Sequence, residues 1–124
     1  MKSSPMISVS AGRIDLIKSR ADILSCVDMY ISWPAIYPVD RNSCIQNLYT
    51  AWRERQFIRV IQSNGIVAWI YAKPMKPPHS NESSMFQQYY CSNLQGYSAA
   101  IALYRLHDEM VAEAKRLKLN YAIS

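Results

Sequence analysis

SNLQGYSAA, residues 92–100, joins a run rich in aromatics, SMFQQYYC (84–91), to IALYRLHDEMVAEAKRLKL (101–119), whose apolar spacing is helical. A strand therefore turns into a helix across one glycine and a cluster of small side chains. The chain has only three glycines. Either this turn is merely tight, or something must approach its backbone closely.

Working outward, the chain supplies the partners such a unit needs. FIRVIQ (57–62) and IVAWIYA (66–72) are β-rich runs joined by Ser63-Asn64-Gly65, and Asn-Gly in that place is a strong hairpin signature. Upstream, MISVS (6–10) alternates as a short strand. Asp15 then opens a helical stretch, LIKSRADILSCVDMYI, which Trp33-Pro34 and Tyr37-Pro38 interrupt. Asp40 or Asn42 caps a second helix over SCIQNLYTAWRERQ (43–56), with Ile45, Leu48, Tyr49 and Trp52 on one side. KPMKPPHSNESS (73–84) is a proline- and serine-rich loop. Met85 to Cys91 is the next strand, followed by a helix from about Ser98 to Leu117. Ile101, Leu103, Tyr104, Leu106, Met110, Val111 and Ala114 can supply its buried side, and Tyr121-Ala122-Ile123 closes the chain as a strand.

The order β-α-α-β-β-β-α-β predicts a single α+β (mixed α/β) domain over residues 1–124, a mixed sheet flanked by helices. Its last two strands, joined through a helix, should be parallel. The length of 124 residues suffices for a core without metal or disulfide support. No apolar run approaches the roughly 18 residues of a membrane span, and the N-terminus lacks the apolar stretch of a secretory signal. Cys26, Cys44 and Cys91 are widely spaced and without a CxxC pair. They read as reduced, mostly buried thiols of a cytosol-like compartment.

The net charge of +5 permits an anionic partner without demanding one. Arg53, Arg55 and Arg59 form the densest basic group and would be the footprint of a nucleic-acid binder. Lys115, Arg116 and Lys118 lie among Asp108, Glu109 and Glu113 and read as a solvated helix face, as does His107. GxSxG, the P-loop and the Rossmann glycine triplet are absent, and two histidines with scattered cysteines give no metal spacing.

The element order and the turn together resemble the GNAT superfamily of acyl-CoA-dependent N-acyltransferases. That family's turn reads Gln or Arg, two residues, Gly, one residue, then Gly or Ala. Here Gln95-Gly96-Tyr97-Ser98-Ala99-Ala100 fits with Gln95 first, Ala100 sixth and Ser98 in the usual glycine's place. A register starting at Asn93 puts Gly96 in that place but Ser98 sixth; the first register is preferred. The resemblance implies that residues 95–100 hold the pyrophosphate of acetyl-CoA or another acyl-CoA, with no metal. The reason is physical: a helix start leaves backbone N–H groups unpaired, and small side chains keep the way open. It further implies that the backbone of residues 87–92 binds the pantetheine arm and that an amine attacks the thioester.

The chain departs from the family in three ways. Ser98 replaces glycine. The family's further helix and strands after the fifth strand are missing, which predicts an open sheet edge covered by a protein partner or a second copy. The fourth-strand run carries no Asp or Glu, so a catalytic base would come from Glu82 or His79 in the loop, or from water. Tyr89 and Tyr90 fall on opposite faces, one toward a cleft and the other into the core. The departures also fit a second function: a catalytically inactive structural or interaction protein, such as a bacteriophage virion component. Trp33, Tyr37, Tyr49 and Trp52 are then either an interface or simply core.

Overall fold

The computed structural model describes residues 12–32, 40–75, 85–117 and 121–123. Its elements are β1 (Arg13–Asp15), α1 (Arg20–Ser32), α2 (Arg41–Arg53), β2 (Phe57–Gln62), β3 (Ile66–Met75), β4 (Met85–Ser92), α3 (Gly96–Arg116) and β5 (Tyr121–Ile123). They form a mixed α+β fold around one five-stranded sheet in the order β1-β2-β3-β4-β5. The first four strands are antiparallel, and β5 runs parallel to β4 through the α3 crossover.

The two faces of the sheet carry separate cores. On one face Ile58, Val60, Trp69 and Cys91 meet Ile23, Cys26 and Val27 of α1 and Leu48 and Ala51 of α2. On the other, Phe57, Ile61, Ala68, Ile70 and Ala72 meet Ala102, Leu106, Met110 and Ala114 of α3. The buried α3 residues recur every four positions from Ser98, which is a single helix face. Tyr104 stands on the opposite side of the helix and is 72% exposed, so it is not part of the buried side as the sequence suggested.

The expected strand at 6–10 lies outside the described residues. Asp15 does not open a helix: it closes β1 opposite Val60. Its carboxylate accepts from the Leu16 amide at 2.8 Å and pairs with Lys18 Nζ at 2.9 Å. The helix starts five residues later, at Arg20, where the Asp22 amide donates to Ser19 Oγ at 3.4 Å and Asp22 Oδ2 accepts from the Lys18 amide at 2.9 Å. Such reciprocal capping outweighs the apolar period that begins at Leu16.

Asp40, rather than Asn42, caps α2, accepting from the Ser43 amide at 3.0 Å. The helix ends at Arg53 because Arg55 takes a left-handed φ of 58°. The Gln56 amide then reaches Ala51 O at 2.9 Å, and the Arg55 amide reaches Trp52 O at 3.1 Å. These two bonds make a Schellman motif.

The β2–β3 hairpin turns through Ser63 to Gly65, with φ of 55° at Asn64 and 108° at Gly65. Ile61 pairs with Ala68 but Gln62 pairs with Ile66, so Val67 is an extra residue in β3, a bulge.

All three cysteines are free. Dispersed in sequence, they gather in the α1/α2-side core, Cys26 and Cys91 buried within it and Cys44 packed against it. Burial holds the Cys26 thiol far above its ordinary range and pushes Cys91 from 9.0 up to about 12. In the unfolded chain these thiols ionise near their ordinary value. Above it the unfolded state binds fewer protons than the folded one, so stability falls as pH rises toward 12. Comparing urea midpoints of wild type and Cys91→Ala isolates the effect. Wild type should lose about 1 kcal/mol more between about pH 9 and about pH 10; parallel pH profiles would refute this.

Candidate functional site

The junction between β4 and α3 is built from the hairpin outward. The bulge turns the Val67 carbonyl toward the end of β4, where it accepts from the Asn93 amide at 3.1 Å and from Ser92 Oγ at 2.8 Å. Ser92 is 4% exposed, and its hydroxyl oxygen also accepts from the Leu94 amide at 3.0 Å. Leu94 packs against the α3-side core. The chain thus leaves the sheet along a fixed path.

Gln95 follows in an extended conformation, φ -127° and ψ 155°, and its side chain makes no capping hydrogen bond to α3. Gly96 then adopts a left-handed φ of 59°. Among the described residues, a Cβ placed on Gly96 would meet no atom within 4 Å. The glycine is therefore required by backbone angle, not by crowding among the described residues. The turn is tight, and no described residue crowds its outer side.

The structure brings the predicted residues 95–100 together as the first turn of α3 and its lead-in. Gln95, Gly96 and Ala100 are exposed, Tyr97 points outward at 70% exposure, and Ala99 is half-buried. Ser98 is turned into the sheet interface at 7% exposure. The 21-residue helix presents the positive end of its dipole here, with N–H groups that no Gln95 side chain satisfies.

Beside this turn runs the edge of β4. Its pairing with β5 covers Met85 to Gln87 only. Among the described residues, no strand pairs with Gln88 to Ser92 on that side. Tyr89 and Tyr90 do lie on opposite faces, as alternation requires. Neither is core, however: they are 39% and 41% exposed. The Tyr89 ring stacks on Tyr71, its cross-strand partner, with centroids 5.9 Å apart and planes 16° apart. Tyr71 Oη donates to Gln56 Oε1 at 2.6 Å, which fixes that ring.

Glu82 and His79 lie outside the described residues, as do Trp33 and Tyr37. His107 is exposed on α3, as expected. Trp52 and Tyr49 form the α1–α2 joint rather than a free surface: Trp52 Nε1 donates to Ile17 O at 3.0 Å, and Arg20 and Arg53 cover the Tyr49 ring. The three arginines do not assemble a footprint. Arg53 sits over Tyr49 on the α1/α2 side, whereas Arg59 lies over Phe57, 4.4 Å from the ring centroid, on the α3 side.

Sequence reading missed Val67 and Ser92, which hold the turn, and the Tyr71–Tyr89 stack. A three-residue hairpin loop was the one available signal for the bulge; the pairing across β3 and β4 is not written in either strand alone. Among the described residues, no cluster of His, Cys, Asp and Glu could hold a metal ion, and no helix is long and apolar enough to cross a membrane. No family model, no curated protein and no solved structure matches the chain.

Proposed function

We propose that the chain is a GNAT-like domain that binds an acyl-CoA and transfers its acyl group to an amine. The observation that carries this reading is the β4–α3 junction: an uncapped helix start, opened by a left-handed Gly96, at the end of a strand edge that no described strand covers. A pyrophosphate fits such an end because its charge meets the helix dipole and its oxygens accept from the free N–H groups. The buried Ser98 supports the fit, since its hydroxymethyl group is turned away from the approaching phosphate. Gln95 can add a neutral donor from its side-chain amide. The edge of Gln88 to Ser92 offers backbone groups to the pantetheine amides and the acyl carbonyl, as an added strand would. The antiparallel order of four strands followed by a parallel fifth supports the GNAT-like topology.

One observation favours the second reading, a non-catalytic structural or interaction module such as a virion component. Residues 85–100 contain no Asp, Glu or His. In that reading a partner chain or a second copy covers the same strand edge. Calorimetric titration with acetyl-CoA, and in parallel with CoA, separates the two. Micromolar binding of both is the expected result. A folded protein that binds neither at millimolar concentration would overturn the acyltransferase reading and leave the structural one.

A further inference from the structure

Tyr97, Ile101, Tyr104, Asp108, Val111 and Lys115 of α3 are spaced alternately by four and three residues. That spacing makes one straight seam along a helix, the kind against which a second helix packs. The sheet does not use it. The sheet takes Ser98, Ala102, Leu106, Met110 and Ala114, and Leu106 lies across the helix from Tyr104 and Asp108. Tyr97 and Tyr104 are 70% and 72% exposed, more than any other large hydrophobic side chain among the described residues. Asp108 and Lys115 are exposed as well, and Ile101 and Val111 are half-buried.

The order of these side chains says what covers them. Run antiparallel against a copy of itself, the seam sets Tyr97 opposite Lys115, Ile101 opposite Val111 and Tyr104 opposite Asp108. Each pair is favourable. An ammonium meets an aromatic face, two β-branched side chains meet each other, and a phenol donates to a carboxylate. A two-fold axis makes every pair twice. A parallel pairing instead sets Asp108 against Asp108 and Lys115 against Lys115, which like charges oppose. Among the described residues, neither Asp108 nor Lys115 has an ion-pair partner within its own chain. Arg105 flanks the seam, but its guanidinium is turned away to donate to Gly12 O at 2.9 Å.

We propose that α3 pairs antiparallel with α3 of a second copy along this seam, making the chain a two-fold dimer. The antiparallel order also sets the two helix dipoles head to tail. Tyr97 and Tyr104 of two copies bring roughly 400–600 Å² of exposed aromatic surface, about half of what a specific interface needs. The remaining seam residues and their flanks supply the rest. The pairing requires neither an acyl-CoA nor the β4 edge, so its failure leaves the acyltransferase reading untouched, and the reverse holds too.

The test is sedimentation equilibrium of the full chain between about 10 µM and about 1 mM, with a dimer of Kd below about 100 µM expected. Tyr104→Asp sets a like charge opposite Asp108 twice and should weaken the dimer by at least about tenfold. Adding Asp108→Lys to that variant restores opposite charges and should return the affinity to within about threefold of wild type. Both positions are exposed, so the variants should fold, which circular dichroism checks. A wild-type chain that stays monomeric throughout would overturn the pairing, whether the seam is then covered by another part of the chain or by a different protein. So would a Tyr104→Asp variant that dimerises like wild type, or a double variant no tighter than the single one.

Discussion

Replacing Trp69 by alanine is expected to remove about 3–5 kcal/mol of folding stability, as large aromatic truncations in a packed core do. Trp69 stands in the middle of the sheet, 2% exposed, and carries the contact between the sheet and α1. Its indole Nε1 donates to Cys26 O at 3.0 Å, and the Tyr30 ring meets it at 5.6 Å with a 58° tilt. Truncation therefore loses apolar burial, an aromatic contact and a hydrogen bond together. A domain of this size has only about 5–15 kcal/mol in total, so the variant sits near the limit of folding. Trp69→Phe separates the contributions: it keeps most of the ring and loses the donor, with an expected cost of about 1–2 kcal/mol. Urea unfolding followed by near-ultraviolet circular dichroism reads both. A loss below about 1 kcal/mol for the alanine variant would mean that α1 is not anchored through this residue.

Gly96→Val is expected to weaken acetyl-CoA and CoA binding by at least about tenfold while costing about 1–2 kcal/mol of stability. The stability cost follows from φ of 59°, where a β-branched side chain is strained. The binding cost has a different origin. Nothing in the described protein lies within 4 Å of the added Cβ, so any clash is with the ligand. Gly96→Asn distinguishes the two. Asparagine tolerates the left-handed region, so its stability should stay close to wild type while its side chain still stands in the pyrophosphate path. Calorimetry on both variants checks this. Full affinity in Gly96→Asn would place the phosphates elsewhere.

Much of the fold was legible because local chemistry and tertiary packing agree along most of the chain. Asn64-Gly65 marks the hairpin through positive φ at both positions, and Asp40 marks the start of α2 through an oxygen that its third amide can use. The errors fall where they conflict. Leu16 and Ile17 continue a helical period but precede the cap at Ser19, and Tyr104 is apolar enough to suggest burial yet sits on the wrong side of α3. The candidate site was legible only as a segment. Gln95 to Ala100 could be read as a helix start with an open approach, but Ser92 and Asn93, which lead into it, donate to the Val67 carbonyl more than twenty residues upstream. The Tyr71–Tyr89 stack needs the register between two strands, which one sequence does not state.

The bulge at Val67 also changes how the hairpin divides into parts. Ile66 packs toward α1 and α2, Val67 and Ala68 both toward α3, and Trp69 toward α1 and α2 again. Skipping Val67 leaves an unbroken alternation, with Gln62 facing Ile66 and Ile61 facing Ala68 as they already do. The hairpin is therefore complete without it. What Val67 adds is an outward carbonyl that seats Ser92 and Asn93. In modular terms it belongs to the turn ahead of α3, although the chain carries it on β3. A hairpin exchanged for a shorter, regular one would leave the sheet whole and take away the seat of that turn.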